Sequence, residues 1–184
     1  MTAAAPNESA RSELAGILFG KGDSRTFAIL DGASAPDLVK NLYEHEPEFC
    51  CLYRGELQPD LATVAPYLVR LEPGTPFAEL VLADGWGAHW GSFFVSAANL
   101  RTLRNHFRAF HTVELPDRRT VLFRYYDPRV LRHFLPACNA AELAEFFGPV
   151  QSFVVEGEGP ETGVKFALAG AALKATPFQL KKIS

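Results

Sequence analysis

The side chains best suited to molecular recognition lie in nine consecutive positions, Phe123–Leu131. Arginine and tyrosine are enriched at the centres of protein interfaces, because they combine a large contact area with directional hydrogen bonds. The stretch offers four such side chains and one carboxylate, which are Arg124, Tyr125, Tyr126, Arg129 and Asp127. We therefore expect a site that recognises a protein partner, with these five residues as candidate contacts.

The same five residues also have an ordinary structural interpretation. Alternate positions of a strand face a core, and Arg129 has an ion-pair partner two residues earlier in Asp127. Asp127 followed by Pro128 is typical of a helix start, because aspartate caps free backbone amides and proline is tolerated in the first turn. From these residues alone, both interpretations stay open.

A second candidate surface is formed by Arg101, Arg104 and Arg108, which follow a capping signal at Ser96 or Asn99. Their spacing places them on one face of a predicted helix, and apolar residues occupy another face. The usual role of such a charged face is contact with solvent. The three arginines are therefore candidates for partner contact, with a solvated face as the alternative.

Catalytic and metal-binding patterns are weak. A nucleophilic site would have to combine Cys138, His133 and Asp127, but a proline separates the first two and Asp127 is better used as a helix cap. The five histidines lack paired ligand spacing, and adjacent Cys50 and Cys51 lack the two-residue gap of a zinc site. We expect a protein without enzymatic activity, metal or cofactor.

The segment Gly85–Gly91 combines glycines with two tryptophans, but lacks the spacing of a dinucleotide or phosphate loop. A packed turn is therefore favoured over a ligand site.

Two alternative functions stay open. One is a small hydrolase whose pocket joins this segment to Arg124, Asp127 and His133, and the other is a phosphate-ligand-binding protein that uses the arginine-rich stretch.

Composition narrows the class of protein further. The chain has 184 residues, of which 48% are hydrophobic and 21% charged, with a net charge of −3. These values are typical of one globular domain and make a general nucleic-acid surface improbable. Charge is nevertheless uneven: Asp31–Asp84 holds ten acidic and three basic residues, whereas Arg101–Arg132 holds eight arginines and three acidic residues.

Cellular location is predicted from two absences in the sequence and from its cysteines. No apolar run approaches the roughly 20 residues needed to span a bilayer, and the first residues lack a secretory signal. Three cysteines are an odd number, and two of them are adjacent, which favours a reducing compartment. We expect a cytoplasmic protein without a membrane span.

The hydrophobic pattern predicts alternating strands and helices. Predicted strands are Thr26–Asp31, Phe49–Tyr53, Tyr67–Leu71 and Ser92–Val95. Predicted helices include Ser9–Phe19, Leu57–Val64, Pro76–Leu82 and Asn139–Phe147. Two hairpins are predicted, Thr112–Leu115 with Arg119–Tyr125 and Val150–Val155 with Val164–Leu168, followed by a tail, Ala171–Ser184. We expect an α/β fold with a mixed sheet and flanking helices, in which strand–helix alternation is followed by a hairpin and a small helical C-terminal portion.

The order of six motifs is more specific than any one of them. They are Ala28–Ala33, Ala65–Leu71, Trp90–Ser96, His106–Arg108, Phe123–Leu131 and Phe146–Val150. In this order they resemble the bacterial type VI secretion adaptor family, whose members carry a domain of unknown function (DUF4123) and are called effector chaperones or Tap/TEC proteins. The resemblance covers roughly Thr26–Phe153, and Phe123–Leu131 is its most specific part.

The resemblance implies an adaptor without catalysis. Such proteins bind a toxic effector, commonly near its N-terminal region, and help to load it on the VgrG spike. The implied organisation is an N-terminal segment with a short helix (1–25), an adaptor domain (26–153) and a short C-terminal hairpin and tail (154–184). The chain departs from the family at Phe107, where leucine is usual, and offers fewer residues after Phe153 than the C-terminal lobe of many members.

Overall fold

The computed structural model describes residues 8–19, 22–114 and 117–181 of the chain. Strands in these residues are β1 (Arg25–Asp31), β2 (Phe49–Cys51), β3 (Pro66–Leu71), β4 (Gly91–Ser96), β5 (Thr112–Glu114), β6 (Thr120–Leu122), β7 (Val150–Glu156), β8 (Thr162–Ala169) and β9 (Ala172–Gln179). Seven of them form one sheet in the order β2-β3-β1-β4-β7-β8-β9, and β5 pairs with β6 in a separate hairpin. All neighbouring strands run antiparallel.

Helices flank the sheet on both faces. They are α1 (Glu8–Leu18), α2 (Leu38–His45), α3 (Pro59–Thr63), α4 (Pro76–Leu80), α5 (Leu100–Arg108), α6 (Pro128–Ala137) and α7 (Ala140–Phe147). Helix α4 continues into a π-helical turn, Val81–Gly85. The predicted α/β class with a helix-flanked sheet is confirmed, and the pairing within that sheet is wholly antiparallel.

Strand β1 shows how the sheet separates two hydrophobic cores. Ala28 and Leu30 face the core formed with α1, α2 and α4, whereas Phe27 and Ile29 face the core formed with α5, α6 and α7. This alternation follows from the two-residue period of a strand. The second core is rich in aromatic rings, and the centroids of Phe94 and Phe107 lie 4.9 Å apart. The result is a three-layer sandwich.

Three predicted helix starts are confirmed by their capping hydrogen bonds. The Asn99 side chain accepts from the Thr102 amide at 2.9 Å at the start of α5. Asn139 and Glu142 form a reciprocal capping box at α7, with distances of 3.0 and 2.7 Å. Asp127 caps α6, with Pro128 in its first turn. The strongest local signals in the sequence therefore form as expected.

The C-terminal part differs from the prediction. Instead of a tail, Ala172–Gln179 forms β9, which pairs with β8 along its whole length and extends the main sheet. Pro177 and the small residues around it obscure the strand pattern, but proline is tolerated at a sheet edge, where its missing amide donor is not needed. Helices α6 and α7 do follow the hairpin, but three strands rather than helices complete the described chain.

Some other boundaries also differ. Strand β6 ends at Leu122, three residues before the predicted end at Tyr125. The predicted hairpin residues Leu115 and Pro116 lie outside the described part of the chain, as do residues 1–7 and 182–184 of the two predicted terminal segments. Within the described ranges, no helix combines the length and apolarity needed to cross a membrane.

Candidate protein-recognition site

The predicted recognition stretch forms a corner between β6 and α6, against the end of β1. We call Asp31 and Phe123–Leu131 the strand-to-helix corner. Asp31 is 2% exposed, and its carboxylate accepts hydrogen bonds from the Arg124 guanidinium, the Ala33 amide and the Ser34 hydroxyl. Because a buried carboxylate needs a charge partner and hydrogen bonds, Arg124 has a structural role at this corner. Its side chain is still 44% exposed.

The second ion pair of the corner joins Asp127 to Arg129. One oxygen of Asp127 caps the Arg129 amide at 2.9 Å, and the guanidinium of Arg129 contacts both oxygens at 3.0 and 2.7 Å. Burial alone raises the pKa of Asp127, but the hydrogen bonds from Arg129 outweigh it, so the net shift of the pKa is downward. Asp127 therefore stays ionised, while just over half of the Arg129 side chain faces solvent.

Tyr125 and Tyr126 lie in the core rather than on the surface, with 1% and 4% exposure. The Tyr125 hydroxyl donates to the Phe107 carbonyl oxygen at 3.0 Å, and the two rings stack with centroids 5.7 Å apart. The Tyr126 carbonyl oxygen accepts from the Ser92 hydroxyl at 2.9 Å. In this conformation the tyrosines fix the corner to the sheet and to α5, and they present little surface to a partner.

We expect Tyr125→Phe to reduce stability without reducing partner binding. The substitution keeps the buried ring but removes the hydroxyl that donates to the Phe107 carbonyl oxygen, which still accepts from the Phe110 amide at 3.1 Å. The expected cost is about 0.5–1 kcal/mol in the free energy of unfolding. Chemical denaturation measures this loss. A binding defect in a folded Tyr125→Phe protein would contradict a purely internal role for Tyr125.

The three arginines of α5 have different surroundings. Arg101 is exposed and Arg104 half-buried. Arg108 folds back over the sheet edge, where its guanidinium donates to the carbonyl oxygens of Cys51, Leu52 and Tyr53 at 3.0, 3.0 and 2.7 Å. Arg108 therefore holds the end of β2 against α5, and of the three only Arg101 matches the expected solvated face.

A histidine–glutamate pair next to the corner, in which the glutamate is buried and the histidine 35% exposed, was not predicted from the sequence. His89 Nδ1 lies 2.6 Å from Oε2 of Glu156, which ends β7 and is 1% exposed. Burial raises the pKa of Glu156 to about 8, and burial together with Arg129 and Arg132 lowers the pKa of His89. Both shifts favour the uncharged forms of Glu156 and His89 at neutral pH. An acidic residue at the end of the apolar run Val150–Val155 was the only sequence signal for this pair.

His89 belongs to the glycine–tryptophan segment, which forms a packed turn as predicted. Trp86 and Trp90 are 1% and 8% exposed. The Trp86 indole donates to the Pro160 carbonyl oxygen at 2.7 Å. The two rings are thus used as core, and the segment anchors the loop that follows Glu156.

The candidate nucleophile and metal ligands have ordinary surroundings. The Cys138 thiol donates to the Phe134 carbonyl oxygen at 3.3 Å, and burial raises its pKa, which disfavours the reactive thiolate. His133 is exposed and Asp127 is bound to Arg129. Across residues 8–19, 22–114 and 117–181, no three His, Cys, Asp or Glu side chains are grouped so as to hold a metal ion.

A groove between the β2–α3 segment and the β5–β6 hairpin was also missed. We call it the hairpin groove. It has a volume of about 680 Å³, and its lining includes Leu52, Tyr53, Arg54, Leu61, Arg108 and Leu122. These residues are distant in sequence and belong to short elements, so no periodic pattern connects them. Two of the lining leucines, Leu61 and Leu122, are 45% and 64% exposed.

Comparison with known proteins places these features in one family. The family model described as Domain of unknown function (DUF4123) matches residues 26–145, which include the strand-to-helix corner and the hairpin groove. Searches of curated proteins and of solved structures each found no significant match. The match begins at Thr26, as the motif order predicted, and spans more than half of the chain. The chain therefore belongs to the DUF4123 family, the Tap/TEC family of type VI effector adaptors.

Proposed function

We propose that this protein is a cytoplasmic type VI secretion adaptor that binds a cognate toxic effector, near its N-terminal region, and promotes its loading onto the VgrG spike. It acts by binding and not by catalysis. The observation that carries the proposal is the family match over residues 26–145. The same residues contain the exposed arginines of the strand-to-helix corner and the exposed leucines of the hairpin groove.

The corner is suited to binding because its arginines have two functions. Arg124 and Arg129 neutralise buried carboxylates, and their side chains are nevertheless 44% and 54% exposed. Ion pairing restricts the motion of each guanidinium, so little additional side-chain entropy is lost when a partner carboxylate contacts the outer edge. Arg101 adds an exposed positive charge on α5. We therefore assign the partner contact at this corner to Arg124 and Arg129, with Arg101 as an auxiliary contact.

Catalysis has little support in the same region. Asp127 is engaged as a cap and ion-pair partner, and the raised pKa of Cys138 keeps its thiol protonated. A hydrolase would need a free base and an activated nucleophile in mutual contact. The hydrolase and the phosphate-ligand-binding protein are therefore the outcomes to consider if no protein partner binds.

We expect the tagged chain to co-purify with an effector encoded beside it, and with the VgrG spike, when the proteins are co-expressed and purified at moderate salt. Arg129→Gln should weaken capture of one partner several-fold, because it removes an interfacial charge. Arg25→Gln is the matched control, since Arg25 is exposed at the opposite end of β1. Pull-down yields measure co-purification, and calorimetry measures the affinities of the wild type and the two variants.

Two results would change this proposal. Failure of the folded chain to bind any neighbouring effector or spike would overturn the adaptor function. Full binding by Arg129→Gln, with unchanged circular dichroism, would leave the adaptor function intact and restrict the corner to a structural role.

A further inference from the structure

We propose that the hairpin groove binds an apolar segment of the effector that carries flanking carboxylates. The inference rests on the proposed adaptor function and specifies which surface receives the cargo. The chemistry of the partner segment follows from the apolar surface, the prepared shape and the charge of the groove.

The groove exposes apolar surface that the fold leaves uncovered. Leu122 is 64% exposed and Leu61 45% exposed, on opposite walls, while Leu52 is fully buried beneath them. Large apolar side chains grouped around a concavity are typical of a surface that a partner covers. A segment with apolar side chains would remove both leucines from water.

The walls of the groove are held in place before any partner arrives. Arg108 fastens the first wall through its three hydrogen bonds to the carbonyl oxygens of residues 51–53. The second wall is held by the β5–β6 ladder, in which Thr112 pairs with Leu122. The His111 ring packs edge-on against Tyr53, with centroids 5.6 Å apart, and joins the two walls. A prepared groove loses less conformational freedom on binding than a mobile one.

The positive charge of the groove favours a partner segment with carboxylates at its ends. Arg54 and Arg108 contribute two positive charges to the lining. Burial, with Arg108 and Arg54 nearby, lowers the pKa of His111 to about 4, so this ring is neutral at pH 7. Among the described lining residues there is no carboxylate. An apolar segment with carboxylates at its ends therefore complements the groove in both polarity and charge.

The test measures the affinity of purified adaptor variants for the purified effector that co-purifies with the wild type. Leu61→Glu and Leu122→Glu each place a carboxylate in the groove and should weaken binding by about tenfold or more. Val64→Glu is the matched control, because Val64 lies just after α3 and, at 43% exposure, resembles Leu61. Arg54→Glu should weaken binding and also reduce its dependence on salt.

The outcomes separate this inference from the proposed function. If the wild type binds the effector and both leucine variants bind equally well, the groove inference is wrong and the adaptor function stands. If the wild type binds no effector, both are wrong. If Leu122→Glu instead abolishes self-association of the adaptor, measured by light scattering, the groove joins two copies of this chain and the inference is overturned. Thermal unfolding confirms that each variant is folded.

Discussion

Arg124→Ala should destabilise the protein by about 2–3 kcal/mol, because it leaves the Asp31 carboxylate buried without a counter-charge. Asp31 is 2% exposed, and its two remaining donors, the Ala33 amide and the Ser34 hydroxyl, are neutral. The expected loss is below that of a fully buried pair, since 44% of the Arg124 side chain is exposed and water can partly replace it. Urea denaturation at pH 7 measures the change in the free energy of unfolding.

Two variants show whether the effect comes from the unpaired charge. Arg101→Ala removes an exposed arginine of α5 and should change stability by about 0.5 kcal/mol or less. The double variant Arg124→Ala with Asp31→Asn no longer contains the buried charge. Its loss in the free energy of unfolding should therefore be smaller than the sum of the losses in the two single variants. Simple additivity of the two losses would refute the charge explanation.

The corner was predictable where its signals are local. Asp127 and Pro128 predict the start of α6, because aspartate caps a helix and proline is tolerated in its first turn. In the structure Asp127 is the N-cap and Pro128 lies in the first turn. The pairing of Arg129 with Asp127 was one of the two interpretations left open, and it is present. Such contacts join residues two positions apart, so the sequence order itself brings them together.

The structural roles of Arg124 and the tyrosines required information that sequence order does not contain. Arg124 pairs with Asp31 across 93 positions, and the two meet only because the fold brings the segment after β6 to the end of β1. Tyr125 and Tyr126 follow a strand that ends at Leu122, so strand alternation does not determine which way they face. Burial of large rings in the α5–α7 core then favours the inward orientation.

Long-range assembly also explains why the hairpin groove and the Glu156–His89 pair were missed. The groove combines short segments around residues 52–61 and 108–122, none of which has a periodic apolar face. Glu156 and His89 lie 67 positions apart and meet where β7 ends beside the turn before β4. In each case the tertiary fold creates a site from residues that are distant in sequence and have no shared pattern.

As pH rises from 6.5 to 8, the wild type should lose stability relative to Glu156→Gln. Burial raises the pKa of Glu156 from an ordinary 4.5 to about 8. In this window the unfolded chain has released the proton while the folded chain keeps it, so raising the pH favours unfolding. One such group produces a slope approaching about 1.4 kcal/mol per pH unit, or about 2 kcal/mol across the window, and the slope ends above pH 8.

Comparison with the variant isolates the contribution of Glu156, because the histidines act in the opposite direction up to about pH 7.5 in both proteins. The pKa values of His89, His106 and His111 are all lowered by burial from 6.5, so those rings increase stability as pH rises through 6.5. Glutamine keeps the size of Glu156 and can still hydrogen-bond His89 Nδ1, so the variant should remain folded. Glu158→Gln, at an exposed position two residues away, should leave the wild-type slope unchanged. Equal slopes in wild type and Glu156→Gln would mean that Glu156 is already ionised at neutral pH, with its charge balanced by His89 and Arg129 instead of removed by protonation.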